Sequence, residues 1–454
     1  MTIAGHLARH VAALRHADLP DATREQAARC LLDTVGNMLG GRHSPKARAV
    51  DLYVRGGHGA AEATVVGGGR VGCEAAAFAN AALARMHDLD DGHQAAMGHP
   101  ASVLVPTALA LGQVLSASGS DIVAALVAAY DVYAGLGAAI NPSAYHERGF
   151  DSTGIVGCVA AAALAAKLRG MDAETTGHAI GIAATHAGGI TEYQNDGSAG
   201  KVLCPAWAAR AGLQSADLAR AGFTGPAAVF EGAKGHFRAF SNQWDSARAT
   251  SGLGHAFGIQ GNYFKLHACM RGLHGAVDAA AALHRQRATA WQEASRIRIL
   301  TSSFVGRLDC RDPVDLAQAQ CSLPYCVALA LKHGRVGQAQ MQSGIDDPDI
   351  AALQRRIEVD VSGPLEDLWI RQPQTWGAAE LIIETRQGQP LRQQVIAARG
   401  GAAHPLSTDD LEAKFREQLA QTALAGRGDA ILAAIRDIER IDDVGLLMDL
   451  LAAP

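Results

Sequence analysis

Apolar residues recur at helical spacing from the first residues of the chain, at Ile3, Leu7, Val11 and Leu14, and the period persists for about 260 residues. A capping-box pattern, Thr23-x-x-Gln26, predicts the start of a helix whose apolar positions include Ala27, Leu31, Val35 and Met38. Seven of the ten residues from Gly157 to Ala166 are alanine or glycine, which lets helix axes approach closely. After about residue 290 the period falls to two: Arg296-Ile297-Arg298-Ile299, Arg356 to Val361 and Leu381 to Thr385 alternate as half-buried strands do. Gln387-Gly388, between Leu381–Thr385 and Leu391–Ala397, predicts a hairpin turn. Helices over about Lys265–Leu283 and Pro313–Leu331 would cover one face of this sheet, and the helical period returns near Ser407.

The chain has 454 residues, 48% of them hydrophobic, enough to bury a large core in two domains. A formal charge of −5 predicts no general attraction for nucleic acid or anionic membrane, so an anionic ligand must be held by local charge in a pocket. The apolar run Ile122–Ala129, bounded by Asp121 and Asp131, stops well short of the about 20 residues a membrane span requires. Eight cysteines without CxxC pairs, and no signal-like segment ahead of the first helix, predict reduced thiols and a cytoplasmic setting.

Four stretches could carry chemistry. Gly67-Gly68-Gly69-Arg70-Val71-Gly72 matches the dinucleotide fingerprint, but the almost two hundred residues after it are helical rather than βαβ, so a glycine turn is the better reading. His87-Asp88-Leu89-Asp90-Asp91-Gly92-His93 with Gly98-His99-Pro100 packs three carboxylates and three imidazoles into thirteen residues. These could cap helix ends, hold a divalent metal in a hydrolase, or form an active site. Tyr145-His146-Glu147-Arg148 leads to Asp151 and Ser152; the last two are ordinary helix caps, whereas Tyr145 and His146 have no such default task. Lysine supplies seven of the forty basic residues, so Lys201 in a glycine-bearing loop and Lys265 after Tyr263-Phe264 stand out as compact point charges or tunable proton donors, although either could be a surface lysine.

Taken together, Phe78-Ala79-Asn80 through Asp91, His99-Pro100-Ala101-Ser102, the Lys201 loop, Leu218 to Pro226, Phe264-Lys265 and Cys321-Ser322-Leu323-Pro324-Tyr325 resemble the MmgE/PrpD family over nearly the whole chain. The family includes 2-methylcitrate dehydratase, cis-aconitate decarboxylase and iminodisuccinate epimerase. The resemblance implies a mainly α fold: an all-helical domain formed by both chain ends (1–262 and 404–454) with a smaller α+β domain (263–403) inserted. It further implies a homodimer that needs no cofactor or iron–sulfur cluster and acts on a small polycarboxylate, as a dehydratase, an epimerase or isomerase, or a decarboxylase.

Carried over by position, Asp88, His99, Asp151, Lys201 and Lys265 are the expected catalytic residues, and Asp91, His93, Tyr145, His146 and Tyr325 the expected substrate-binding ones. Asp151 stands where dehydratase-like members resemble this chain and other members have histidine, which favours dehydration; Cys204-Pro205 departs from a common His-Pro step. Removing a proton beside a carboxylate needs fixed cations and a base. Lys201, Lys265 and His99 are expected to supply the cations, Asp88 or Asp151 the base, and Tyr325 or a histidine the acid. A metal-dependent hydrolase built on His87 to His99, and a non-catalytic dimeric scaffold, remain the alternatives from other classes.

Overall fold

The computed structural model describes residues 1–56, 60–196, 198–372, 375–385 and 389–453. Its first half is a stack of helices. The principal ones are α1 (Ile3–Ala13), α2 (Asp21–Gly41), α3 (Cys73–Arg85), α4 (Ala101–Leu115), α5 (Gly119–Ile140), α6 (Gly157–Leu168), α7 (Ala173–Thr185) and α8 (Gly200–Arg220). Helix α2 starts two residues before the predicted box, on Pro20, whose fixed φ suits a helix entrance. The small-residue stripe lets α8 lie directly on α6: a Cβ on Gly212 would come within 2.4 Å of the Ala161 methyl. By length and composition α5 could span a membrane, yet 83% of its apolar stretch is buried inside the molecule. Asp131 does not bound that stretch as the sequence suggested. It sits inside α5, 2.8 Å from His10 Nε2 and accepting from the Gly258 amide.

The second core belongs to an inserted α+β unit. Strands β1 (Ala294–Thr301), β2 (Ile357–Val361), β3 (Ala379–Thr385) and β4 (Leu391–Val395) form one sheet in the order β2-β1-β3-β4, with only β1 and β2 parallel. Ile297 and Ile299 face inward, while Arg296 and Arg298 pair across the exposed face with Glu358 and Asp360. Helices α9 (His274–Gln286) and α10 (Leu323–His333) pack on each other, α9 also meets β3 and β4, and their buried residues join those of β1 in this core. The expected β3–β4 hairpin pairing is present; its turn at Gln387-Gly388 lies outside the described residues. Gly67 to Gly72 is a turn, with Ala63–Thr64 paired to Arg70–Val71 and Gly67 at φ 64°.

Two predicted helices differ. The one expected from Lys265 begins only at His274, because residues 262–270 are held in extended and irregular form by neighbours. Asn262–Tyr263 pairs with Gly92–His93, the Phe264 amide donates to Gly400 O, and the Ala268 and Met270 amides donate to Val336 O and Gln320 O. The helix expected over Pro313–Leu331 is broken at Cys321, where Ser322 caps a fresh start and Pro324 occupies its first turn. The chain then returns: α11 (Thr408–Leu419), capped by Ser407, packs on α2, and buried residues from Leu406 to Leu451 share the core of α1 to α8. The fold is thus mainly α, with a helical domain made from both chain ends and a smaller sheet-bearing unit between.

Candidate active site

Helix α3 ends at Arg85, and the next residues turn sharply: Asp88 has φ 53°, and Met97 further along has φ 50°. Such left-handed backbone is uncommon for residues with a side chain and tends to persist where the surroundings enforce it. Here the turn aims the Asp88 carboxylate at two lysines from distant segments. Lys201, in the first turn of α8, places Nζ 2.8 Å from Asp88 Oδ2; Lys265 Nζ donates to Asp88 Oδ1 (2.8 Å) and to Asp88 O (3.0 Å). Arg85 stands 3.7 Å from Asp88 and 2.8 Å from Asp90.

These groups are buried, which sharpens their electrostatics. Burial alone would raise the Asp88 carboxyl, but Lys201, Lys265 and Arg85 override it and hold it well below the usual range. Asp88 with both oxygens engaged is therefore a poor base, contrary to one sequence expectation, and serves as the counter-charge that positions the lysines. The lysines are pushed in opposite directions. Asp88 overrides burial and raises Lys201, whereas burial prevails at Lys265, only 1% exposed, and lowers it. The His99 Nδ1–H donates to Asp91 O and lies 3.3 Å from Asp90, so the neutral ring keeps an unprotonated Nε2 with no partner among the described residues. Burial, with the Arg85 charge behind it, drives His99 down to about 3.

Asp151 caps the short helix Ser152–Ile155 through Thr153 N and accepts from the Tyr193 hydroxyl at 2.8 Å. Burial would raise it, but Arg85 and these bonds hold it low. All of these groups except Asp90 line one cavity of about 650 Å³ between the two cores, as do His93, Tyr145 and His146. Five cationic side chains (Arg85, Lys201, Arg248, Lys265, Arg271) face it against two carboxylates, Asp88 and Asp151, so the cavity favours an anion.

The remaining expected residues divide. His93 reaches the wall but is occupied, its Nε2–H donating to Gly258 O and its Nδ1 accepting from Ala96 N. Tyr145 accepts from Gln194 Nε2 at 2.6 Å, and His146 stands exposed at the rim. Asp91 is not a substrate ligand: it turns into the helical core, where it accepts from the Ala101 amide, Tyr130 Oη and Asn262 Nδ2, and burial with Asp90 nearby pushes it up to about 7. Tyr325 is not brought to the site either; its hydroxyl donates to Met341 O inside the second core, because its place on α10 faces that core. His87 donates to Gly40 O, so the His87 to His99 run diverges, and among the described residues no group of three or more His, Cys, Asp or Glu is arranged to hold a metal. Sequence reasoning missed Arg85, Tyr193 and Arg271. The one available signal was Arg85 lying three residues before Asp88 at a helix end.

A two-domain chain whose interdomain cavity gathers buried lysines around one carboxylate defines a class of enzyme-like, anion-binding folds. The chain belongs to the MmgE/PrpD family: residues 5–249 match the MmgE/PrpD N-terminal domain and residues 267–440 the MmgE/PrpD C-terminal domain. It is 29% identical to a cis-aconitate decarboxylase-like protein of Aspergillus oryzae, over 99% of this chain and 97% of that one. It is 24% identical to a cis-aconitate decarboxylase of Aspergillus terreus (96% and 93% covered) and 25% identical to the Homo sapiens cis-aconitate decarboxylase (84% and 79%).

Proposed function

We propose that the protein is a lyase that forms a carbanion beside a carboxylate of a small tricarboxylic acid and quenches it in the cavity around Asp88. The observation that carries this reading is the pair of ammonium groups, each 2.8 Å from a different oxygen of one buried carboxylate. Two positive charges share one counter-charge, leaving positive potential for a substrate carboxylate whose charge grows in the transition state.

Loss of carbon dioxide is the bond change supported by the names of the relatives. The C–C bond to the departing carboxylate breaks, its electron pair stays on carbon and spreads over the neighbouring carboxylate, carbon dioxide leaves, and a proton is delivered to carbon. Lys265, made more acidic by burial, suits the proton donor, and Lys201, held charged by Asp88, suits the fixed cation. Each role uses a side chain already at the wall.

Loss of water is a second reading, favoured by neutral His99 and by Asp151. The free Nε2 of His99 would take the proton next to the carboxylate, and the hydroxyl would leave with a proton as water. Incubation with cis-aconitate and with hydroxylated tricarboxylic acids in heavy water, followed by NMR, separates the two. Carbon dioxide release is expected from the first, and the absence of carbon dioxide, water loss and exchange with every tricarboxylate sinks the proposal.

A further inference from the structure

The cavity is much larger than the acid its charged end would hold. Its about 650 Å³ falls within the about 300–1,000 Å³ of pockets that enclose drug-sized ligands, whereas a tricarboxylic acid has only about a dozen non-hydrogen atoms. The surplus space has its own chemistry. Tyr145, His146 and Phe304 follow one another edge to face with centroids 5.3 and 4.9 Å apart. Phe304 then meets Trp376 at 5.3 Å and Trp369 at 6.0 Å. Beside Trp369 lies Ile370, which lines the mouth at 66% exposure.

This wall is continuous with the charged end. Tyr145 is bonded to Gln194, the neighbour of Tyr193, and Tyr193 holds Asp151. Partly exposed tryptophans and an exposed isoleucine along a cavity wall are apolar surface left in water, and burying it is the favourable part of binding. A small, fully ionised acid would leave that wall wet.

We infer that the site takes a tricarboxylic acid bearing an unbranched alkyl substituent, with its carboxylates at Lys201 and Lys265 and its chain along Phe304, Trp376 and Trp369 out to Ile370. This rests on the lyase reading for the acid head; the chain subsite is a separate claim about binding. Each methylene laid on the wall should raise affinity about two- to fourfold until the mouth is reached.

The test is calorimetric titration of the whole protein with unreactive propane-1,2,3-tricarboxylic acids carrying no substituent, or methyl, butyl or octyl groups. In parallel, turnover is measured on the corresponding unsaturated and hydroxylated acids. Affinity is expected to climb with chain length and the climb to flatten in Trp369→Asp and in Ile370→Asp, the latter at an exposed position where folding is not at risk. Affinity independent of chain length, or a climb untouched by both substitutions, overturns the inference. No turnover of any acid beside a clear climb sinks the lyase reading alone; turnover of the unsubstituted acid without a climb sinks the chain subsite alone.

Discussion

The two ends of the cavity differ in how each domain builds them. The helical domain contributes most of the buried charge, set against opposite charge: Arg85, Asp88, Asp90 and Lys201, joined by Lys265 at the start of the inserted unit. The α+β unit contributes rings, Phe304, Trp369 and Trp376, touching edge to face. Charge in low dielectric demands fixed partners, since an unpaired buried charge is costly, whereas an apolar wall tolerates changes in what lies against it. The charged end therefore reads as the place where chemistry is determined, and the aromatic end as the place where substrate choice can vary.

The sharpest way to break that contrast is Asp88→Ala. It leaves Lys201, Lys265 and Arg85 facing one another, and removing one partner of such a buried set should cost about 3–5 kcal/mol of stability; turnover should be lost as well. Thermal unfolding and activity read the two effects, and a variant of unchanged stability would mean the lysines need no counter-charge. His99→Gln should leave the fold in place and lower turnover by about 10²–10⁴-fold. Near-normal turnover in that variant would remove the imidazole from the reaction.

Acid offers a gentler probe. Burial lowers His87, His93 and His236 to about 4. The unfolded chain therefore binds more protons between about pH 6.5 and 4, and stability falls as pH drops through that window. Asp91, raised to about 7, has the opposite sign: its folded form holds the extra proton at low pH, and its contribution is lost as pH rises from about 4 to 7. With three histidines against this one aspartate, the melting temperature should fall on acidification from pH 6.5 to 4.5; a rise would show that carboxylates dominate. The smallest effect is expected at Tyr325→Phe, which removes one hydrogen bond in the second core, about 0.5–1.5 kcal/mol, and should leave turnover within about twofold. A large loss of turnover there would return Tyr325 to the site.

The layout of the fold was legible because its two periods are written over long stretches, 3.6 in the helices and two in β1, β2 and β3. The extended run through Lys265 was not, since its shape comes from backbone bonds to Gly92–His93, Gly400, Val336 and Gln320 that no local pattern reveals. At the site, the density of acids and imidazoles from His87 to His99 marked the right segment. Spacing could not say that Asp88 turns toward the cavity while Asp91 turns into the core, because a left-handed residue reverses the local direction of the chain. Scarcity exposed the lysines; arginine is common here, and so Arg85 and Arg271 were lost among the others.

Lys414 on α11 carries a consequence for how the molecule comes into being. Its ammonium donates to Asp33 in α2 and to the carbonyl of Leu89, the residue between the two aspartates that face Arg85. The loop that holds Asp88 is thus buttressed by a helix made more than three hundred residues later. At about 5–20 residues per second, a ribosome needs roughly 15–65 s to cover that interval. During that time a nascent chain carries the reactive side chains without the brace that aligns them, so catalytic competence should arrive only as synthesis ends.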